Sequence, residues 1–162
     1  MSNDDLLPVR VTHEIRDTCL CLQAQRAARA LARQFDEVFR PLGLTNGQFS
    51  LLAALNRPQP PVMGAVAELL AMDRTTLTAA LKSLKRRGLV DVRPDEIDRR
   101  SRRLILTPAG KALLAKAYPV WKSEHAALEA ANAPLDSRRL RADLVQLVRQ
   151  ADRGSSLHYR AI

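Results

Sequence analysis

Apolar residues recur at intervals of three and four along most of this chain, and Gly, Pro and hydroxyl residues interrupt the period. From Arg16 to Phe39 the stripe Leu20, Ala24, Ala27, Leu31, Phe35, Val38 predicts a first long helix, stopped by Pro41 and Gly43. Thr45-Asn46-Gly47-Gln48 has the spacing of a capping box and predicts a second helix, with Phe49, Leu52 and Leu55 inward. It ends before Pro58-Gln59-Pro60-Pro61, and a short third helix follows with Val62, Val66, Leu69 and Leu70 apolar. Asp73 is placed to cap a fourth helix that runs to Arg87, with Gly88 just beyond its end.

After Gly88 the period changes. Leu89–Arg93 and Arg103–Thr107 read as two short strands around the polar loop Pro94–Arg102, a long hairpin. Thr107-Pro108 opens a helix carrying Leu113, Leu114, Ala117, Trp121 and Leu128, with a kink expected at Pro119. Past Pro134 a last helix places Leu140, Leu144, Leu147, Val148 and Ala151 on one face. Four helices, a hairpin and two helices make a mainly α chain with a small β-hairpin. The central part has the order of a winged helix-turn-helix.

Within the fourth helix Leu77, Leu81 and Leu84 form a core stripe, while Thr75, Thr78, Ala79, Lys82 and Arg86 cluster roughly opposite. That second face has no acid. Small hydroxyl side chains let a helix approach base edges, and Lys and Arg neutralise phosphates. The plainer reading is a solvated helix face. Between Asp73 and Arg103 ten basic residues meet five acidic ones, so a net +5 of the chain's +9 lies there. Arginines at a hairpin tip suit the narrow minor groove, and Asp98 is placed to brace one of them. An exposed loop with Asp98 paired locally to an arginine is the plainer reading of that segment.

Composition narrows the classes. The 162 residues are 46% apolar and 27% charged, which fits one compact domain or two small lobes sharing helices. No apolar run is long enough for a membrane span, and the start Met1-Ser-Asn-Asp-Asp lacks the apolar region of a secretory signal. Two cysteines make no disulfide framework, so a reducing cytoplasm is the expected compartment. An excess of nine positive charges points to a polyanion, with nucleic acid first.

An enzyme is not expected, and neither a metal nor a cofactor is implied. His13, His125 and His158 are scattered without metal-ligand spacing, and neither a Gly-x-Ser-x-Gly elbow nor a dinucleotide fingerprint occurs. Gly110-Lys111 lacks the rest of a phosphate loop, with Ala112 and Ile105 where Ser or Thr and the first Gly belong. A winged helix that binds protein instead of DNA is the rival of another class.

Taken together, the residues resemble the MarR-type (multiple antibiotic resistance regulator) transcription factors from about Thr18 to Ala151. The resemblance is carried by Leu44-Thr45-Asn46-Gly47-Gln48-Phe49-Ser50-Leu51-Leu52 and Met72-Asp73-Arg74-Thr75-Thr76-Leu77-Thr78. Leu84-Lys85-Arg86-Arg87-Gly88-Leu89-Val90 adds to it, as does Asp98-Arg99-Arg100-Ser101-Arg102 leading into Leu106-Thr107-Pro108-Ala109-Gly110. It implies a homodimeric repressor, less often an activator, on pseudo-palindromic double-stranded DNA, released by a small ligand or an oxidant. By position Thr75, Thr76, Thr78 and Lys82 would face the major groove, Arg100 would form the wing tip, and Arg99 and Arg102 would meet phosphates. Arg74 and Arg86 complete the candidate DNA-binding set. The expected division is a helical dimerisation region, 10–42 and 109–153, a winged helix-turn-helix over 43–108, and a tail over 154–162. Flanking helices more apolar than one small core requires agree with dimerisation. Half-sites about one turn (~34 Å) apart then follow from two-fold symmetry.

The resemblance also implies an effector site between the dimerisation helices and the DNA-binding lobe, for a small aromatic or phenolic molecule. Its candidate walls are Phe49, Tyr118, Trp121 and His125, with Arg16 or Cys21 as a polar contact; Phe49 reads equally as core. Cys19 and Cys21, near the start of the first helix, are candidates for an oxidant switch, and Arg16 one turn earlier would favour a thiolate. Two residues apart on a helix they would point about 200° from one another, which disfavours a mutual disulfide. The alternative for both is inert packing.

Overall fold

The computed structural model describes residues 7–158, with side chains placed as far as 151; the acidic start Met1–Asp5 and residues 159–162 lie outside the described residues. The element order is α1 (Val9–Thr18), α2 (Leu20–Phe39), a 3-10 turn (Arg40–Leu42), α3 (Asn46–Leu55), α4 (Met63–Leu69) and α5 (Arg74–Arg86). Strands β1 (Val90–Pro94) and β2 (Arg102–Leu106), then α6 (Pro108–Ala131) and α7 (Ser137–His158), complete it.

The predicted first helix is two. Its stripe breaks at Cys19, whose extended backbone (φ −72°, ψ 103°) ends α1 and caps α2, its sulfur accepting the Leu22 N–H at 3.4 Å. Neither Gly nor Pro marks the break, so the apolar period ran through it unchanged. Both cysteines are free. Because Cys19 stands outside α2, the helical 200° separation does not describe this pair. The last helix also reaches further than expected, carrying 154–158 of the expected tail.

The caps formed as predicted. Thr45 and Gln48 make both bonds of the capping box, Asp73 caps α5, and Thr107 caps α6 with Pro108 in its first turn. Gly88 follows the α5 C-cap at φ 69°, a left-handed conformation that glycine adopts without steric cost. The strands lie one residue later (β1) and one earlier (β2) than expected, paired antiparallel with Val90 opposite Leu106 and Pro94 opposite Arg102. A single bridge joins Val62 to Arg103, and Leu104 N–H bonds the Pro61 carbonyl at 2.9 Å, so the linker before α4 adds to the sheet edge. The proline at 119 does not end α6, which continues through it to Ala131.

One continuous core joins the parts. Phe35 and Phe39 of α2, Leu51, Leu52 and Leu55 of α3, Val66 of α4, Leu77, Leu81 and Leu84 of α5, Leu104 of β2 and Ala117 of α6 are all buried in it. Gly110 allows the join between wing and α6: a Cβ there would sit 2.2 Å from the Leu89 carbonyl oxygen and 2.7 Å from a Leu106 methyl. Thr107 Oγ1 donates to the Gly88 carbonyl at 2.7 Å beside it. By contrast Leu20 and Leu31 of α2, and Leu140, Leu144, Val145, Leu147 and Val148 of α7, are exposed in the single chain. Among the described residues no helix is long and apolar enough to cross a membrane.

Candidate nucleic-acid interface

Helix α5 owes its position to the turn before it and the wing after it. Asp73 accepts the Thr76 N–H at 2.8 Å and the Thr76 hydroxyl at 2.6 Å, and these bonds hold its carboxyl below the ordinary 3.8. At the other end Arg87 Nη1 reaches back to the Gly43 carbonyl at 2.8 Å, tying α5 to the turn before α3. With Leu77, Leu81 and Leu84 buried, Arg74, Thr75, Thr78, Ala79, Lys82 and Arg86 stand exposed on the outer side. A groove of about 660 Å³ runs between this face and the wing, lined by Arg74, Thr75, Thr78, Lys82 and Lys85, with Met63 and Val92 as apolar walls.

The candidate hydroxyls differ in their freedom. Thr76 donates its proton to its own N-cap, and Thr78 donates to the Arg74 carbonyl at 2.7 Å, leaving its methyl for an outward contact. Thymine methyls are read by such apolar contacts. Among the described residues Arg74, Lys82, Arg86, Arg99, Arg100 and Arg102 make no ion pair with an acid, whereas Arg93 is bound to Asp91 at 2.8 Å.

The wing is held by carboxylates that bind its own backbone. Asp95, only 4% exposed, accepts the N–H groups of Ile97 (2.9 Å) and Asp98 (2.8 Å) and also binds Arg103. The Asp98 and Ile97 N–H bonds and the Arg103 pair outweigh its loss of water and hold its carboxyl below 3.8. Asp98 accepts the Arg100 N–H at 3.0 Å, so the brace expected from Asp98 acts on the arginine's backbone and not on its guanidinium. Arg99, Arg100 and Arg102 are left exposed around the tip.

A second concavity, about 710 Å³, opens between α3 and α6, lined by Phe49, Ser50, Ala53, Asn56, Lys111, Leu114, Ala115, Tyr118 and Trp121. Three of the predicted effector residues therefore meet there. Phe49 belongs to the core as well, stacked on Phe39 at 4.6 Å and near Trp121 at 6.3 Å. His125 lies beyond the cleft, its ring 5.1 Å from Trp121. Arg16 and Cys21 do not line it, contrary to expectation. Arg16 is exposed on α1 with its guanidinium on Asp17 at 2.6 Å, and the exposed Cys21 sulfur accepts from Gln25 at 3.1 Å. Sequence reasoning missed Lys111 and Asn56 on this cleft, and Asp95 and Arg103 in the wing.

His13 is exposed on α1, and the side chain of His158 lies outside the described residues. Among those described, no three His, Cys, Asp or Glu side chains gather where they would hold a metal ion.

Comparison with known proteins places this geometry. Residues 42–101 match the model of the MarR family. The chain is 33% identical over 97 residues to the HTH-type transcriptional regulator YybA of Bacillus subtilis, covering 60% of this chain and 62% of YybA's length. It is 38% identical to the DNA-bound transcriptional regulator MosR of M. tuberculosis, with a TM-score of 0.74 over 83% of this chain and 96% of that one. It is 26% identical to Bordetella bronchiseptica BpsR, a protein whose DNA binding is regulated by 6-hydroxynicotinic acid, with a TM-score of 0.65 over 82% of this chain and 92% of that one. The winged helix-turn-helix order, the basic outer face of α5 and these likenesses agree: the chain belongs to the MarR family of transcriptional regulators, not to a family of enzymes.

Proposed function

We propose that this chain is a sequence-specific DNA-binding regulator, acting as a repressor and as a homodimer on a pseudo-palindromic operator. The observation that carries the reading is the acid-free outer face of α5, where Arg74, Lys82 and Arg86 have no acidic partner among the described residues and stand beside a braced arginine wing. Thr75, the Thr78 methyl and Lys82 enter the major groove; Arg74 and Arg86 meet phosphates. Thr76 contributes through the cap of α5. Arg100 enters the minor groove, and Arg99 and Arg102 hold the backbone on either side. The apolar faces of α1, α2 and α7, exposed in one chain, meet their equivalents across the two-fold axis.

A small aromatic or phenolic effector occupies the cleft between α3 and α6, against Tyr118 and Trp121, with Lys111 within its walls. It releases DNA only by its differential affinity for a dimer whose recognition helices are wrongly spaced. BpsR's response to 6-hydroxynicotinic acid supports this class of ligand.

The reading is tested by duplex binding across a salt series. Phosphate contacts make log affinity fall steeply with log salt, whereas a protein-binding module shows a shallow slope or no binding. Thr78→Glu should nearly abolish binding at a cost of several kcal/mol, since its carboxylate would meet the DNA's negative field. Near-normal binding by that variant would move the interface off this face of α5.

An oxidant-sensing regulator of the same fold is the second reading, favoured by the position of Cys19 at the joint between α1 and α2. Under it, peroxide releases DNA from the wild type but not from the Cys19→Ser, Cys21→Ser double variant. Equal release from both would leave the small-molecule reading alone.

A further inference from the structure

The wing carries a buried carboxylate in a loop that is otherwise exposed. Asp95 is 4% exposed, while Glu96, Ile97, Asp98, Arg99 and Arg100 around it lie open to solvent. Both oxygens are used inward: Oδ1 takes the N–H groups of Ile97 and Asp98, and Oδ2 takes Arg103 Nε. Arg103 is bound twice, because its Nη1 also donates to the Pro60 carbonyl at 2.7 Å. The hydrogen bonds continue outward from Asp98, whose side chain accepts the Arg100 N–H and whose carbonyl accepts the Ser101 N–H at 2.8 Å. An unbroken path of polar contacts thus leads from the α3–α4 linker at Pro60 to the backbone of Arg100.

We infer that Asp95 and Arg103 are positioning residues for DNA recognition, which fix the wing tip to the α3–α4 linker so that Arg100 enters the groove already oriented. This rests on the DNA-binding reading above. Neither residue meets DNA. The Asp95 carboxylate is buried within the wing, and the Arg103 guanidinium is bound to Asp95 and Pro60. Two apolar residues would fill the same space but leave the Ile97 and Asp98 N–H groups without acceptors, and an asparagine at 95 would keep that acceptor while losing the charged bond to Arg103, leaving the tip free to reorient. Fixing a groove-inserting side chain before binding removes an ordering cost from the complex.

The test is a double-mutant cycle on the full chain, with a duplex that the wild type selects from a randomised pool and binding read by anisotropy. Asp95→Asn is expected to lower affinity about tenfold. In an Arg100→Ala background the same substitution should change affinity by no more than about twofold, because the side chain it positions is gone. Equal losses in both backgrounds, or none in either, would overturn the inference. If Arg100→Ala itself leaves affinity unchanged, the wing is not a DNA contact, and the DNA-binding reading of the wing fails first. Circular dichroism and thermal melting monitor folding. Should Asp95→Asn unfold the chain, Arg103→Lys takes its place in the cycle. An ammonium on that stem keeps the charge but cannot serve Asp95 and Pro60 in the guanidinium's forked geometry, so the same coupling is expected and simple additivity again overturns the proposal.

Discussion

At the scale of single residues, the side chains that touch DNA in this account depend on others that do not. Arg100 is exposed, but its backbone is set by Asp98 and, one step further in, by Asp95. Replacing it by alanine should weaken operator binding by about 1–3 kcal/mol while leaving the oligomer intact, as binding titrations and sedimentation would show together. Asp95 adds a pH dependence of known sign. Its folded carboxyl sits below the ordinary 3.8, chiefly through the Asp98 N–H, so its bonds contribute fully above that value and are lost as pH falls through the folded one. Exchange of the Ile97 and Asp98 amides should therefore lose protection only as pH falls below the ordinary 3.8, and Asp95→Asn should remove that pH dependence. Protection that stays flat in the wild type would contradict it. Gly110 is decided by space alone: a methyl 2.2 Å from the Leu89 carbonyl must displace the wing or α6. Gly110→Ala should cost about 1–3 kcal/mol in denaturant unfolding, despite alanine's better helix propensity.

At the scale of elements, what was legible in the sequence is what local chemistry decides. Thr45 with Gln48, Asp73 with Thr76, Gly88 after Arg87 and Thr107 before Gly110 each act within a few residues, and each appears in the structure as its spacing predicted. The fourth helix and its two faces were legible for the same reason. The break at Cys19 was not, since a thiol caps there in place of the usual hydroxyl or carboxylate and the apolar period continues across it. The bonds that aim the wing join residues far apart in the chain. Arg103 meets Pro60 across 43 positions and Arg87 meets Gly43 across 44, and no hydrophobic period encodes such pairs. Asp95 stood in the sequence as one acid among five in a basic stretch, although its spacing to Asp98 after a proline is that of a side chain folding back on its own turn. The cleft was half legible: Tyr118 and Trp121 share a helical face that sequence reveals, whereas Lys111 and Asn56 join them only through the packing of α3 on α6.

At the scale of the whole molecule, the core and the unburied apolar surface lie in different places. Among the described side chains, buried residues concentrate between Phe35 and Ala117, while α7 shows none and exposes Leu140, Leu144, Val145, Leu147 and Val148. A row of that kind on a long terminal helix is accounted for by the homodimer proposed above. Leu144→Asp combined with Val148→Asp should shift the chain to monomer in sedimentation at micromolar concentration and reduce operator affinity with it. A variant that stays dimeric would place the interface elsewhere. The central claim is that two copies of the α5 face and its wing read one two-fold site. It is met most directly by an anisotropy titration of the purified chain against its own upstream intergenic duplex and a scrambled duplex, at about 150 mM salt, where non-specific binding is weak. Tight binding of two subunits per native duplex, with little to the scrambled one, is the result expected. A folded dimer, free of bound effector and with reduced thiols, that binds neither duplex at any salt would contradict it.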